Sequence, residues 1–114
     1  MAQENMFVKE LQEKGLVDER GIFALGDISS TNGNSGRAFL LLCGNELYLH
    51  AMAGIGKVGE RIETIHLKEM EIIKARGGAL FQILRFHFRG HTYTVRNFGR
   101  ASLFIEEIKK SIGA

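Results

Sequence analysis

Residues 80–97 read LFQILRFHFRGHTYTVRN. From Leu84 onward large apolar and polar side chains alternate, break at Arg89-Gly90, and alternate again to Asn97. Alternation of period two marks a half-buried strand, and a two-residue glycine-containing break between two such runs marks a hairpin. The expected strands are Leu80 to Phe88 and His91 to Asn97. A two-residue turn pairs Phe88 with His91, Phe86 with Tyr93 and Leu84 with Val95, so large groups meet across the ladder. The opposite face then carries Arg85, His87, Thr92, Thr94 and Arg96. A slip of one residue would exchange the two faces, which fixes the register.

Outward from this hairpin the same grammar repeats. Strands are expected at Gly21–Ile28, Arg37–Cys43, Glu46–Met52, Arg61–Leu67 and Met70–Arg76. Gly44-Asn45 supplies a tight turn between the second and third, and Lys68-Glu69 a tight join between the fourth and fifth. Ser29 to Gly36 is polar throughout and reads as a flexible loop, as does the glycine-rich Ala53 to Gly59. Gly77-Gly78 breaks the chain before the hairpin.

Both ends change period. Gln3 to Lys14 places Met6, Phe7 and Leu11 at helical spacing, with Gly15 as the natural stop and Leu16 and Val17 as docking residues. From about Gly99 to Ile112, residues Ala101, Phe104, Ile105, Ile108 and Ile112 form one apolar stripe, with Asn97 as candidate N-cap. The order is helix, seven strands, helix. The division is an N-terminal helical segment at 1–18, packed on a body at 19–114.

The chain has 114 residues, enough for one domain with its own core and too few for two. Fifteen basic against 13 acidic side chains leave +2, so bulk charge does not point to nucleic acid. Cys43, the single cysteine, cannot form an internal disulfide; within an apolar run it reads as a buried, inert thiol. The N-terminus has no secretion-signal pattern and no apolar run reaches bilayer length, so the expected location is cytoplasmic.

The stretch from about Gly21 to Ile112 resembles the pleckstrin-homology-like (PH-like) superfold, and most closely its bacterial and GRAM-like members. The residues that carry the likeness are FLLLCGNELYL at 39–49 and IHLKEMEII at 65–73. Leu67, Met70 and Ile73 fill the apolar corner between strands four and five. The resemblance implies a mainly β, α+β fold: a partly open barrel of seven antiparallel strands in two near-orthogonal sheets, capped by the C-terminal helix. The short N-terminal helix is an addition to it. Phosphoinositide-binding relatives carry basic residues around the loop between the first two strands. Here only Arg37 is basic, so that motif is absent.

A superfold does not fix function, and sites must be argued residue by residue. Arg85, His87, Arg89 and Arg96 form the densest basic cluster, suited to an anionic partner because arginine forks match phosphate and carboxylate geometry. Ser30, Asn32, Asn34, Arg37 and Lys57 are candidate binding residues in the two loops. His50, His66, His87 and His91 lie on different strands or opposite faces, so no metal is expected. Gly54-Ile-Gly56-Lys57-Val-Gly59 lacks phosphate-loop spacing and leads into a strand. No catalytic residues and no cofactor are expected. The expected function is a non-catalytic binding or scaffold module that contacts protein, or a second copy of itself, through loops and an open sheet edge. The alternative is a peripheral membrane module whose arginine face meets anionic lipid headgroups.

Overall fold

The computed structural model describes residues 2–54, 57–78 and 80–113, with side chains from Phe7 onward. Helix α1 (Ala2–Glu13) precedes seven strands: β1 (Phe23–Ser30), β2 (Ser35–Cys43), β3 (Glu46–Gly54), β4 (Lys57–His66), β5 (Glu71–Arg76), β6 (Ile83–Phe88) and β7 (His91–Arg96). Helix α2 (Ala101–Gly113) closes the order, and a 3-10 turn at Leu67–Glu69 joins β4 to β5. All neighbours are antiparallel, in the order β4-β3-β2-β1-β7-β6-β5, so β1 serves both halves of the sheet. Among the described residues no ladder joins β4 to β5, and the barrel is open between them.

The hairpin register is the one that the alternation demands: Phe88 opposite His91, Phe86 opposite Tyr93, Leu84 opposite Val95. Arg89 and Gly90 both have positive φ, 48° and 81°, the geometry that matches a two-residue turn to strand twist. The Phe86 and Tyr93 rings stack at 5.1 Å. Inside the barrel they join Leu40, Leu42, Leu47, Leu49, Ile65 and Leu67, and α2 stoppers this core with Phe104, Ile105 and Ile108.

A second apolar layer lies outside the sheet. Leu11 and Val17 pack on Phe39 and Leu41, with Phe7, Leu16, Phe23 and Tyr48 around them. Strand β2 is therefore covered on both faces, and Ala38 through Leu42 are all buried. A strand buried on both sides reads as a continuous apolar run, which is why residues 38–42 do not alternate. Helix α1 ends as its sequence directs: Gly15 takes φ 72°, its N–H donates to the Gln12 carbonyl and that of Leu16 to the Leu11 carbonyl.

Several expectations need correction. The segments assigned to flexible loops are mostly strand: β1 and β2 leave only Thr31–Asn34 as a turn, and β3 and β4 run to Gly54 and from Lys57. Ile55 and Gly56 of that second loop, and the Met6 side chain, lie outside the described residues. Strand β6 starts at Ile83, not Leu80, because Phe81 adopts φ 59° and breaks the extended run. Asn97 is not the cap of α2, which begins at Ala101; its side-chain amide instead donates to Asp27. Ile73 does not fill the apolar corner with buried Leu67 and Met70, because a bulge between Ile72 and Lys74 turns it out to solvent. Cys43 is half-buried rather than enclosed.

Candidate functional site

The outer face of β5, β6 and β7 gathers positive charge. Register places Lys74 opposite Arg85, Arg76 opposite Ile83, and Ile83 opposite Arg96, so the four cations share one side of three adjacent strands. The β5 bulge makes this so, by adding one residue and reversing the parity after Ile72. Lys74, Arg76 and Arg96 are exposed and Arg85 is half-buried. Among the described residues no ion pair joins any of the four to a carboxylate. Arg85 is steadied by its own neighbour, Nε–H donating to Thr94 Oγ1 at 3.2 Å. His87 shares a hydrogen bond of 2.9 Å with Thr92 Oγ1 at the far end of the same face.

Lys74, Arg76 and Arg96 converge on a cleft of about 240 Å³. The side-chain amides of Gln82 and Asn97 also line it, and the Phe81 ring forms one wall. Asp27, directly across the ladder from Arg96, is the nearest acid by register. Its carboxylate accepts from Asn97 Nδ2 at 3.1 Å and from Arg37 Nη1 at 3.1 Å. Those two bonds, Asn97 first, hold it below the usual carboxylate range. Arg37 thus neutralises Asp27 and leaves the cleft positive. Unpaired guanidinium and ammonium groups beside amide donors are suited to phosphate or carboxylate oxygens.

Other residues marked in the sequence lie elsewhere. Arg89 leaves the face, because left-handed backbone at the turn swings it over the Phe88 ring and onto Glu69. Its Nε and Nη2 donate to the two Glu69 oxygens at 3.1 and 3.0 Å. Ser30, Asn32 and Asn34 are absorbed by their own turn: the Ser30 N–H donates to the Asn34 carbonyl, and the Asn34 N–H to Ser30 Oγ. Short polar side chains that bond the local backbone hold turns closed, and this one is shut. Asn32 also donates from Nδ2 to the Tyr93 hydroxyl at 3.0 Å, and that hydroxyl donates to Glu63 Oε2 at 3.0 Å. Lys57 lies beside α1, sharing a groove with Glu10 and Lys14. His50 is buried among β3 and β4, bonded to the Gly59 carbonyl at 2.9 Å and accepting from Arg61 Nε at 3.2 Å. Among the described residues no three or more His, Cys, Asp or Glu side chains are grouped to hold a metal, and no helix is long and apolar enough to cross a membrane.

Lys74, Arg76 and Phe81 went unmarked in the sequence. The period-two spacing of Lys74 and Arg76 was a legible sign that they share a face; the bulge that selects which face was not.

No protein-family model and no curated protein sequence matches this chain. Solved structures do. An activated truncation of Vav1 aligns with 97% of this chain at TM-score 0.67 and 9% identity. A structure concerned with the PH and C1 domains of the Vav1 exchange factor aligns with 97% at TM-score 0.65 and 11% identity. The fold is PH-like. This chain spans about a third of the Vav1 structures, 33% in each of these two cases. A chain from a systematic screen for protein–lipid interactions in Saccharomyces cerevisiae aligns over 81% of this chain and 92% of its own, at TM-score 0.52 and 12% identity. Identities this low describe a shared architecture.

Proposed function

We propose that this PH-like domain is a non-catalytic, cytoplasmic peripheral module that binds anionic lipid headgroups at a membrane surface. The observation that carries the reading is the group of four cations on one sheet face, Lys74, Arg76, Arg85 and Arg96, which among the described residues have no carboxylate partner. Each basic side chain held near an anionic leaflet contributes about 1 kcal/mol. Four together are worth about 4 kcal/mol, roughly a thousandfold in affinity. Protein contact through an open sheet edge has less in its favour. Strand β5 is short, charged and bulged, and β4 carries Lys57, Glu60, Arg61 and Glu63 with three register shifts against β3. Charge and bulges on an edge oppose strand addition.

The test is sedimentation with vesicles of phosphatidylcholine, alone or mixed with phosphatidylserine. Binding is expected only to the mixed vesicles and is expected to fall steeply with salt, because exposed charge is screened over about 10 Å at 0.1 M. The double variant Arg85→Glu/Arg96→Glu brings the net charge of the four to zero and is expected to abolish it. Vesicle binding that ignores both salt and this double variant would end the proposal.

A further inference from the structure

The described residues include four large apolar side chains that stand in solvent: Ile73 at 46%, Leu80 at 74%, Phe81 at 77% and Leu103 at 43% exposed. Ile73 lies on β5, Leu80 and Phe81 on the loop between β5 and β6, and Leu103 in the first turn of α2, where it lines a depression with Gly77, Gly78 and Gln82. Single exposed apolar residues need no explanation, but two adjacent ones in one loop, each about three-quarters exposed, do.

Phe81 departs from expectation in a second way. Its φ of 59° puts a bulky aromatic residue in left-handed backbone, a conformation that favours glycine. Strain of this kind persists only where the surroundings impose it, and it gathers at functional positions. The base of the loop supplies the constraint. Ser102 Oγ donates to the Gly77 carbonyl at 2.6 Å, Gln82 Nε2 donates to the Gly78 carbonyl at 2.8 Å, and the Asn97 N–H donates to the Gln82 carbonyl at 3.3 Å. A Cβ on Gly77 would stand 2.7 Å from the Ser102 backbone, so the loop is seated tightly on α2. A pinned base therefore holds out a tip whose two side chains touch little of their own protein. The same Phe81 ring walls the cationic cleft.

We infer that Leu80 and Phe81 are a membrane anchor, inserted among the acyl chains of an anionic bilayer while Lys74, Arg76 and Arg96 hold headgroup phosphates beside them. Charge complementarity selects this occupant: an apolar protein groove would not call for three cations in the cleft that Phe81 walls, whereas the boundary between headgroups and hydrocarbon offers both chemistries side by side. The inference rests on the membrane reading above and adds the point and the depth of contact.

The chain contains no tryptophan, so Phe81→Trp installs a sole indole reporter at the tip. Its emission is expected to shift to the blue on phosphatidylcholine–phosphatidylserine vesicles and to be quenched by lipids brominated along the acyl chain. The pair Leu80→Ser/Phe81→Gly is expected to weaken vesicle affinity roughly 100-fold. Its binding to soluble inositol hexakisphosphate, which needs only the cations, is expected to remain. Thermal melts are the check that this variant folds. Unquenched, unshifted emission on vesicles that still bind through Arg85 and Arg96 would overturn the anchor and leave the cationic face standing. Absence of any vesicle binding by the wild-type chain would overturn both.

Discussion

Removing a single oxygen, Tyr93→Phe, tests how the end of the barrel opposite the cleft is held shut. Tyr93 is buried on β7, yet its hydroxyl joins three elements: it donates to Glu63 on β4 and accepts from Asn32 in the β1–β2 turn, each at 3.0 Å. A bond to a charged acceptor is worth about 1.5–3 kcal/mol and a neutral one about 0.5–1.5. Glu63 is only half-buried and Asn32 is exposed, so water can replace part of each contact. The stack on Phe86 is untouched. The expected loss is about 2 kcal/mol, near the low end of the sum. For a domain of this size that lowers the melting temperature by roughly 8 °C. Thermal and urea unfolding, followed by circular dichroism, read it directly. Burial, and then the Glu63 carboxylate, push the Tyr93 phenol above its ordinary range. A raised phenol contributes stability below the unfolded value of about 10, and that contribution disappears as pH rises above it. The variant should therefore also lose part of the alkaline sensitivity of the wild type. A Tyr93→Phe protein within about 0.5 kcal/mol of wild type, the usual range of a neutral surface change, would refute this account of the latch.

Two further outcomes follow from the core and its one buried histidine. Burial, then the Arg61 charge, depress the His50 imidazole, against a bond to the Gly59 carbonyl that favours the charged form. A depressed group contributes stability above its unfolded value of about 6.5, and that contribution is lost as pH falls below it. Unfolding midpoints in urea should therefore drop between pH 7 and 5 for the wild type and drop less for His50→Gln; equal slopes would refute the assignment. Gly26→Ala should cost about 1–3 kcal/mol by overpacking, since a Cβ there would stand 2.8 Å from that of Phe98 and 3.1 Å from the Arg96 carbonyl. Unchanged denaturant midpoints would show that β1 and residue 98 can separate without loss.

What the sequence disclosed followed the strength of its periodicity. The β6–β7 register was legible because each one-residue slip would have exposed Phe86 and Tyr93. The helical stripe from Ala101 to Ile112 was equally plain. Misreadings fell where tertiary contacts overrule local pattern. Ser29 to Gly36 is polar enough for a loop, but its hydroxyl and amide groups close a tight turn and add two residues to each flanking strand. Arg89 sits in sequence among the residues of the basic face, yet left-handed backbone and Glu69 carry it off. The candidate site was half visible. Arg85 and Arg96 came from the hairpin itself, whereas the contribution of Lys74 and Arg76 depends on a bulge that no composition rule announces. Leu80 and Phe81 looked like strand because they lead into the apolar Ile83 and Leu84, and nothing in the composition announces left-handed backbone at Phe81.

Strand β2 has consequences for how this domain can change over generations. From Ala38 to Leu42 each side chain meets packed neighbours, above or below the sheet, so almost any polar replacement there endangers folding. Strands β5 to β7 bear no such burden on their outer side, where charges can be gained, lost or reversed at little thermodynamic penalty. Selection is free to alter the charges along that one flank while the other flank stays frozen.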